Sequence, residues 1–375
     1  MTSLSILDLS PVPSGGTTGD ALRNTLDLAR RAEEFGYHRY WLAEHHFAPG
    51  VAGAAPAVLI ALVAAATSTI RVGSGAVQLG HQTALAVVEQ FGLIDALYPG
   101  RIDLGLGRSG QRNREMAELA AKTPPPPEPA RIVDGLLIPE AFSFASFANS
   151  PIFALYGSLL QQPGAQSPDF ADQVDDIIAL LAGTYRSAEG LAAHAVPGEG
   201  ADLELWVLGS SGGQSAQAAG ERGLPFAANY HVSPSNVLEA AEAYRAAFKP
   251  SPILTEPRLI VSADVVVAED DDTARELASP YGLWVRGIRS GAGAIPFPTP
   301  QEAAVHEWTE EDRALVADRV ATQFVGSPPT VAEKLRVLRD VTGADELLVT
   351  TITHDHADRV RSYELLAAEW AELTG

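Results

Sequence analysis

The sequence predicts an α/β fold of eight parallel strands joined by helical crossovers. Three observations carry this expectation. Apolar runs of strand length alternate with helical periodicity through the first hundred residues; the alternation resumes after residue 204; and four strands before the break plus four after it make eight. Eight such strands close into a (β/α)8 barrel as naturally as they open into a doubly wound sheet, and periodicity does not separate the two.

Buried strands are expected near residues 4–8, 39–42, 71–77 and 101–106, with helices near 20–36, 56–67 and 83–97 between them. Asp20 is placed to cap the first helix and Gly36 to end it, before His38-Arg39-Tyr40-Trp41-Leu42 enters the second strand. The rhythm breaks at Pro124 to Pro127, which cannot continue a helix and should run as an extended surface loop. A Pro-rich insertion near 120–130 therefore interrupts what is expected to be one domain over 1–375. Strands resume near 204–209, 225–229, 258–267 and 346–351, with helices near 214–222, 234–248, 322–340 and 356–371. The run Glu269 to Asp272 reads as a solvated helix start, its carboxylates complementing the dipole. Residues 287–312 hold several Gly and Pro without a clear period and end in the acidic stretch Glu307 to Asp312, so a mobile flap is expected there.

The helix from Pro56 through Ala66, PAVLIALVAAA, has no polar face. One side can cover the sheet and the other needs hiding from water, which a partner subunit would do. Val87, Val88, Phe91, Ile94 and Leu97 in the next helix offer a comparable surface, and a homodimer is expected.

Composition removes several function classes. With 26 Lys and Arg against 47 Asp and Glu, the chain has a formal charge of −21 and no offsetting basic run, so nucleic acid is not expected as a partner. There is no Cys, which excludes thiolate catalysis, disulfides and Cys-bearing zinc or iron–sulfur sites; redox chemistry then needs a bound cofactor. The N-terminus MTSLSILDLSPVP has no basic leader, and no run of about 18 apolar residues follows, so a soluble cytoplasmic protein with no membrane partner is expected.

The sharpest chemical signal is Trp41-Leu42-Ala43-Glu44-His45-His46-Phe47, which sets two imidazoles and a carboxylate directly after the second strand, where a barrel keeps its catalytic face. An imidazole with a pKa of about 6.5 can give or take a proton at neutral pH. A hydrogen-bonded structural pair and a zinc site are the alternatives. The zinc reading suffers because adjacent residues at a strand end point in different directions.

Gly105-Leu106-Gly107-Arg108-Ser109-Gly110 matches the three-glycine dinucleotide pattern, yet the chain runs into the prolines instead of a second strand with an acidic residue. The other reading is that the glycines admit a flat ring while Arg108, charged at any relevant pH, reaches a phosphate. Leu208-Gly209-Ser210-Ser211-Gly212-Gly213-Gln214-Ser215 leads from the fifth strand into a helix, so N–H groups and hydroxyls can surround an anion at the positive helix end; an ordinary cap is the alternative. His354 and His356 bracket Asp355 before the last helix and read as a cap and turn in preference to a metal site. Asp8, Ser10, Asn229, Tyr230 and His231, at strand ends, are candidate pocket residues.

Taken together, these segments resemble the bacterial luciferase-like flavin-dependent monooxygenases across most of the chain, most strongly in residues 1–110 and 204–230. The resemblance implies a single (β/α)8 TIM barrel with insertions. WLAEHHF is similar to the segment that carries the family's catalytic histidine, which puts that role on His45, with Glu44 beside the flavin and orienting the histidine. VGSGAVQL resembles the family's third strand and implies a non-proline cis peptide at Gly75-Ala76 under the flavin ring. LGLGRSG implies a cofactor contact from Arg108, with Arg131 as a second phosphate contact. LWVLGSSGGQSAQAAGERGLP resembles the family's phosphate-binding turn and implicates Ser210, Ser211, Gly212 and Ser215.

The same resemblance implies a two-component reaction. Reduced FMN (FMNH2) from a separate flavin reductase would react with O2 at C4a, and the hydroperoxyflavin would oxygenate a small organic substrate while the 287–312 flap excludes water. Members that tailor aromatic polyketides in antibiotic biosynthesis are similar. Two rivals share the fold: a deazaflavin (F420)-dependent oxidoreductase working by hydride transfer, and a non-catalytic flavin-binding homologue, against which the intact histidine motif speaks.

Overall fold

The computed structural model describes residues 2–108, 128–143 and 151–374; Ser109, Gly110 and Pro124 to Pro127 lie outside them. Eight parallel strands form a ring: β1 (Ser3–Asp8), β2 (Arg39–Leu42), β3 (Arg71–Ser74), β4 (Ile102–Gly107), β5 (Glu204–Gly209), β6 (Phe226–Asn229), β7 (Leu259–Val267) and β8 (Glu346–Thr350). Strand β8 pairs with β7 on one side and with β1 on the other, in a register that sets Ser3 beside Glu346. That pairing closes the barrel and settles the alternative with the open sheet.

Each strand is followed by a crossover helix on the outside: α1 (Thr18–Glu34), α2 (Pro56–Ala66), α3 (Ala84–Leu97), α4 (Phe170–Leu181), α5 (Gln214–Glu221), α6 (Val237–Ala247), α7 (Pro328–Thr342) and α8 (His356–Thr374). Strand residues Leu4, Ile6, Val72, Leu104, Val261 and Val349 pack outward on these helices, while Leu7, Trp41, Trp206, Ile260 and Leu348 fill the lumen. Burial on both faces is why the strands read as continuous apolar runs. Room for Trp41 comes from its neighbour in register, Gly73, where a Cβ would stand 2.9 Å from Trp41 Cδ1.

The amino ends of the strands carry a buried ion network. Arg39, fully buried, reaches Asp103 at 2.7 Å, Glu204 at 2.9 Å and Glu346 at 3.0 Å. Arg71 adds a second cation on Asp103 at 2.6 Å, and Arg258 stands 3.6 Å from Glu204 and 3.5 Å from Glu346. Trp41 Nε1 donates to Asp103 at 2.8 Å, and the Ser5 hydroxyl donates to Glu346.

Several sequence expectations change. The N-cap of α1 is Thr17, and Asp20 is the reciprocal partner in a capping box, because Thr17 reaches the Asp20 N–H while Asp20 reaches back. The expected helix over 322–340 is three elements: a helix Glu310–Thr322, a strand Phe324–Gly326 that pairs with the end of β7, and α7 beginning at Pro328. Residues 287–312 are not irregular chain. They include the end of helix Tyr281–Arg289, helix Pro300–Ala304 capped by Thr299, and the start of helix Glu310–Thr322 capped by Thr309. Between these, Phe297 is fully buried and exchanges backbone hydrogen bonds with Val12 and Ser14 at 2.8 Å, so the expected flap is anchored to the loop after β1.

In α3, Val87, Val88, Phe91 and Ile94 face the barrel, and of the five residues expected at a partner surface only Leu97 is exposed; Leu85 and Leu93 share that outer face. Asp8 and Ser10 are also turned away from the lumen. Asp8 accepts from Ser10 N at 2.7 Å, Thr25 Oγ1 at 2.8 Å, Arg359 Nη2 at 2.7 Å and the Tyr40 hydroxyl, in a closed network under α1 and α8.

The insertion between β4 and α4 packs on the barrel. A hairpin of Arg131–Val133 and Leu136–Ile138 buries Leu136 and Ile138, and Tyr230 Oη donates to Leu137 O at 2.7 Å. A helix Pro151–Leu159 then sets Tyr156 in a stack on Phe47, centroids 4.3 Å apart. Among the described residues no helix is long and apolar enough to cross a membrane.

Candidate active site

The carboxyl ends of the strands open as a mouth. After β2, Glu44 and His46 point to one side and His45 to the other, as extended backbone requires. The Glu44 carboxylate is buried, bonded to His46 Nε2 at 2.8 Å and accepting from Gln78 N at 2.8 Å; Gln78 Nε2 returns to Glu44 O at 2.7 Å. His81 follows on Gln78 Oε1 at 3.1 Å. A cavity of about 500 Å³ beside this chain of groups is walled by His46, His81, Pro56, Gln90 and Leu159. Glu44 therefore holds His46, and the sequence expectation that it orients His45 is corrected. Gln78 and His81 were not anticipated, although Gln78 ends the VGSGAVQ segment.

His45 faces the mouth with its backbone N–H fixed on Gly53 O at 2.7 Å. The residue as a whole is exposed, while neighbouring protein still desolvates the ring in part. Burial lowers its pKa; Glu44 pulls it up and His46 pushes it down. Across the mouth, after β6, His231 Nδ1 bonds Ser262 Oγ at 2.7 Å. Burial first, then Arg319 and His45, push His231 down to about 3. His231 is consequently neutral at pH 7 and a weak base, and the shift of His45 is in the same direction.

Behind His231, Arg319 reaches Tyr281 Oη at 2.7 Å and Asp264 at 3.2 Å, and Tyr281 donates to Asp264, all three buried. No local motif announces this trio, because its members come from β7 and two inserted helices. Asn229 and Tyr230 are engaged locally: Asn229 Oδ1 accepts from Val232 N at 2.7 Å, and Tyr230 supports the hairpin.

Gly75 and Ala76 lie between β3 and the short strand Val77–Gln78, and the peptide bond joining them is cis. Both are partly open to the mouth, and a Cβ on Gly107 would stand 3.1 Å from that of Ala76. Gly105 serves packing: a Cβ there would meet Ser74 O at 2.0 Å. Arg108, at the end of β4, extends to the start of α5, where Nη1 donates to Gln214 Oε1 at 3.2 Å. Helix α5 opens at Gly213 with no side-chain cap on its first N–H groups among the described residues. Ser210, Ser211 and Gly212 form the half-open turn before it, with Gly213 N on Ser211 Oγ at 3.4 Å. Ser215 is buried against Gly209, where a Cβ would come within 2.9 Å of the Ser215 Cβ.

The structure thus brings Arg108 to the 210–213 turn. It does not bring Arg131, which is exposed on the hairpin and paired with Glu128. His354 and His356 contact Ser14 O at 3.0 Å and Asp27 at 2.9 Å, and Asp355 accepts from Ala357 N at 2.8 Å at the start of α8. Among the described residues no group of three or more His, Asp or Glu is arranged to hold a metal ion.

A family model described as luciferase-like monooxygenase matches residues 2–133 and 148–346. The YvbT protein of Bacillus subtilis is 38% identical over 372 residues, covering 98% of this chain and 97% of its own. A luciferase-like monooxygenase of Escherichia coli K12 is 35% identical over 375 residues, covering 100% of this chain and 98% of the relative. Among solved structures, that of apo-MsnO8 matches with a TM-score of 0.78 at 33% identity and covers 99% of both chains. With the closed barrel and the strand-end site, these likenesses show that the chain is an oxidoreductase belonging to the luciferase-like monooxygenase family.

Proposed function

We propose that the protein is the oxygenating component of a two-component system, using reduced FMN delivered by a separate reductase and O2 to oxygenate a small organic substrate. The observation that carries this reading is the meeting of Arg108 with the uncapped start of α5 at the carboxyl ends of the strands, the end of the barrel that also carries His45. A guanidinium and an uncapped helix start together suit a phosphate dianion. Arg108, Ser210, Ser211 and Gly212 would hold that phosphate, and Gly75-Ala76 would floor the ring. Reduced FMN would supply the electrons that activate O2.

The protein's own part is positional and acid–base. The turn before α5 fixes the phosphate end, the layer around Phe297 and Trp284 keeps water from that side of the mouth, and His45 takes or returns a proton at the substrate. A solved structure with this fold, the oxygenating constituent of 3,6-diketocamphane monooxygenase, is in complex with FMN, which supports the flavin reading. Another, a reductase from Methanopyrus kandleri, is coenzyme F420-dependent, which keeps the deazaflavin as the second reading.

Anaerobic titration with reduced FMN and reduced F420 separates the two: saturation by FMN alone is expected, and saturation by F420 alone sinks the proposal. His45→Ala is expected to retain FMN affinity and lose about 10²- to 10⁴-fold in substrate oxygenation. Unchanged turnover removes His45 from the reaction.

We further propose a homodimer through α2 and α3, whose outer faces expose Val58, Leu62, Leu85, Leu93 and Leu97. Light scattering at micromolar concentration should give twice the chain mass; a monomer refutes it.

A further inference from the structure

A second cavity, of about 730 Å³, lies apart from the mouth, and neither His45, Arg108, Ser210 nor His231 lines it. It sits between the helices Asp271–Ala278, Tyr281–Arg289 and Glu310–Thr322 and the start of α7. The two longer inserted helices contribute Trp284 and Val285 to the lumen cluster; Val316 belongs to that cluster and also lines the cavity, together with Gly282, Ala317 and Val320. Trp308 closes one flank by lying over Gly282, where a Cβ would come within 3.1 Å of its ring.

Three cations rim this apolar floor: Arg275, Arg313 and Lys334. That concentration stands out in a chain of formal charge −21. Most exposed arginines among the described residues bond an acid, as Arg23 does Asp20 and Arg361 does Glu269. Arg313 has no carboxylate partner among the described residues, and its contact is the Trp308 ring, 5.9 Å from Cζ. Lys334 donates one proton to Val325 O at 3.0 Å and has no other bonded acceptor among them. Burial holds its ammonium below the usual range, although Asp271 pulls it back up. Arg275 bonds Asp272, but both side chains are largely exposed, so water screens the pair and a ligand can compete for the guanidinium.

The cations stand at opposite ends of the groove. Arg313 and Trp308 mark the start of helix Glu310–Thr322, while Arg275 and Lys334 lie near each other beside Gln323 and Val325 at its far end. At about 1.5 Å per residue, the helix spans roughly 15 Å between them. The volume falls in the range of small-molecule sites, about 300–1,000 Å³.

We infer that this cavity is a ligand site for an amphipathic organic anion, its acidic group between Arg275 and Lys334 and its apolar body along Val320 and Val316 towards Trp308. A neutral ligand would cover Lys334 with only Asp271 to offset its charge, and a fully polar anion would leave the floor wet. Dodecanoate has the right length and chemistry to serve as a probe.

Calorimetric titration of the whole protein with dodecanoate tests this, with dodecan-1-ol as the uncharged match. One dodecanoate per chain is expected, with dodecanol at least tenfold weaker. Ala317→Trp, which fills the groove from an exposed helix position, should abolish binding. The double variant Arg275→Gln, Lys334→Gln should weaken it at least tenfold, and it decides the matter if the tryptophan variant does not fold. Arg336→Gln, which removes an outer-face pair with Glu333, should bind like the parent. No saturable binding, binding untouched by both groove variants, or equal affinity for the alcohol overturns the inference.

Discussion

The two ends of the barrel use the same eight strands in opposite ways. At the amino ends three guanidinium groups, Arg39, Arg71 and Arg258, meet three carboxylates, Asp103, Glu204 and Glu346. Asp103 alone accepts from Arg39, Arg71 and Trp41, which leaves it nothing to offer a ligand. At the carboxyl ends the acid of the motif, Glu44, is spent on His46 and Gln78, while His45 is exposed and the first turn of α5 has no side-chain cap. Charges that satisfy one another hold a fold together and do no chemistry. Groups held in place by their neighbours, yet left with an unused donor or lone pair, can act on something that arrives.

Substitutions can break that contrast. The largest expected effect is at the closed end: Arg39→Met leaves buried Asp103 and Glu346 undercompensated and should cost about 3–5 kcal/mol in urea unfolding, with FMN affinity of the folded protein unchanged. A loss under about 1 kcal/mol would mean that the network is not what holds this end.

Acid should attack the same end. Burial disfavours the charge on Glu346, but bonds from His38, Arg39 and Ser5 outweigh it and hold the carboxyl down at about 2. A folded pKa below the unfolded value means that the stabilisation is complete above about pH 4.5 and is lost as the pH falls towards 2. The share from Glu346 is on the order of 3 kcal/mol, to be read from unfolding midpoints against pH and compared with Glu346→Gln, in which that dependence should shrink.

At the open end, Arg108→Gln should reverse the pattern, weakening reduced FMN by about 10- to 100-fold while unfolding free energy moves by less than about 0.5 kcal/mol. Equal affinity would separate Arg108 from the cofactor. The smallest change is Tyr156→Ala, which removes the stack on Phe47; faster proteolytic cleavage within 151–159 at an unchanged melting temperature is expected, and unchanged cleavage would mean that the stack does not hold this helix.

Much of the barrel is legible locally. β1, β2 and β5 fall within a residue or so of their apolar runs, because a strand buried on both faces has no polar positions to blur it. Phe324–Gly326 is too short to show a period, so its apolar residues merged with the helices on either side into one expected helix. The flap expectation failed for a related reason: Gly and Pro in 287–312 signal turns but not the burial of Phe297 that anchors them. In the site, residues within a short motif at a strand end, His45, Arg108 and Ser210, reached the mouth. Arg131 did not, since its hairpin leads away to Tyr230.

From the sequence alone came what depends on near neighbours: the alternation of strands and helices, the serine- and glycine-rich turn before α5, the acidic composition and the lack of any thiol. The tertiary structure decided every partnership across the chain. It set Ser3 beside Glu346 to close the ring, brought Arg108 to Gln214 and set His45 within electrostatic reach of His231. The reason is geometric: periodicity reports which face of an element is buried, whereas strand twist, stagger and closure determine which distant residue lies opposite.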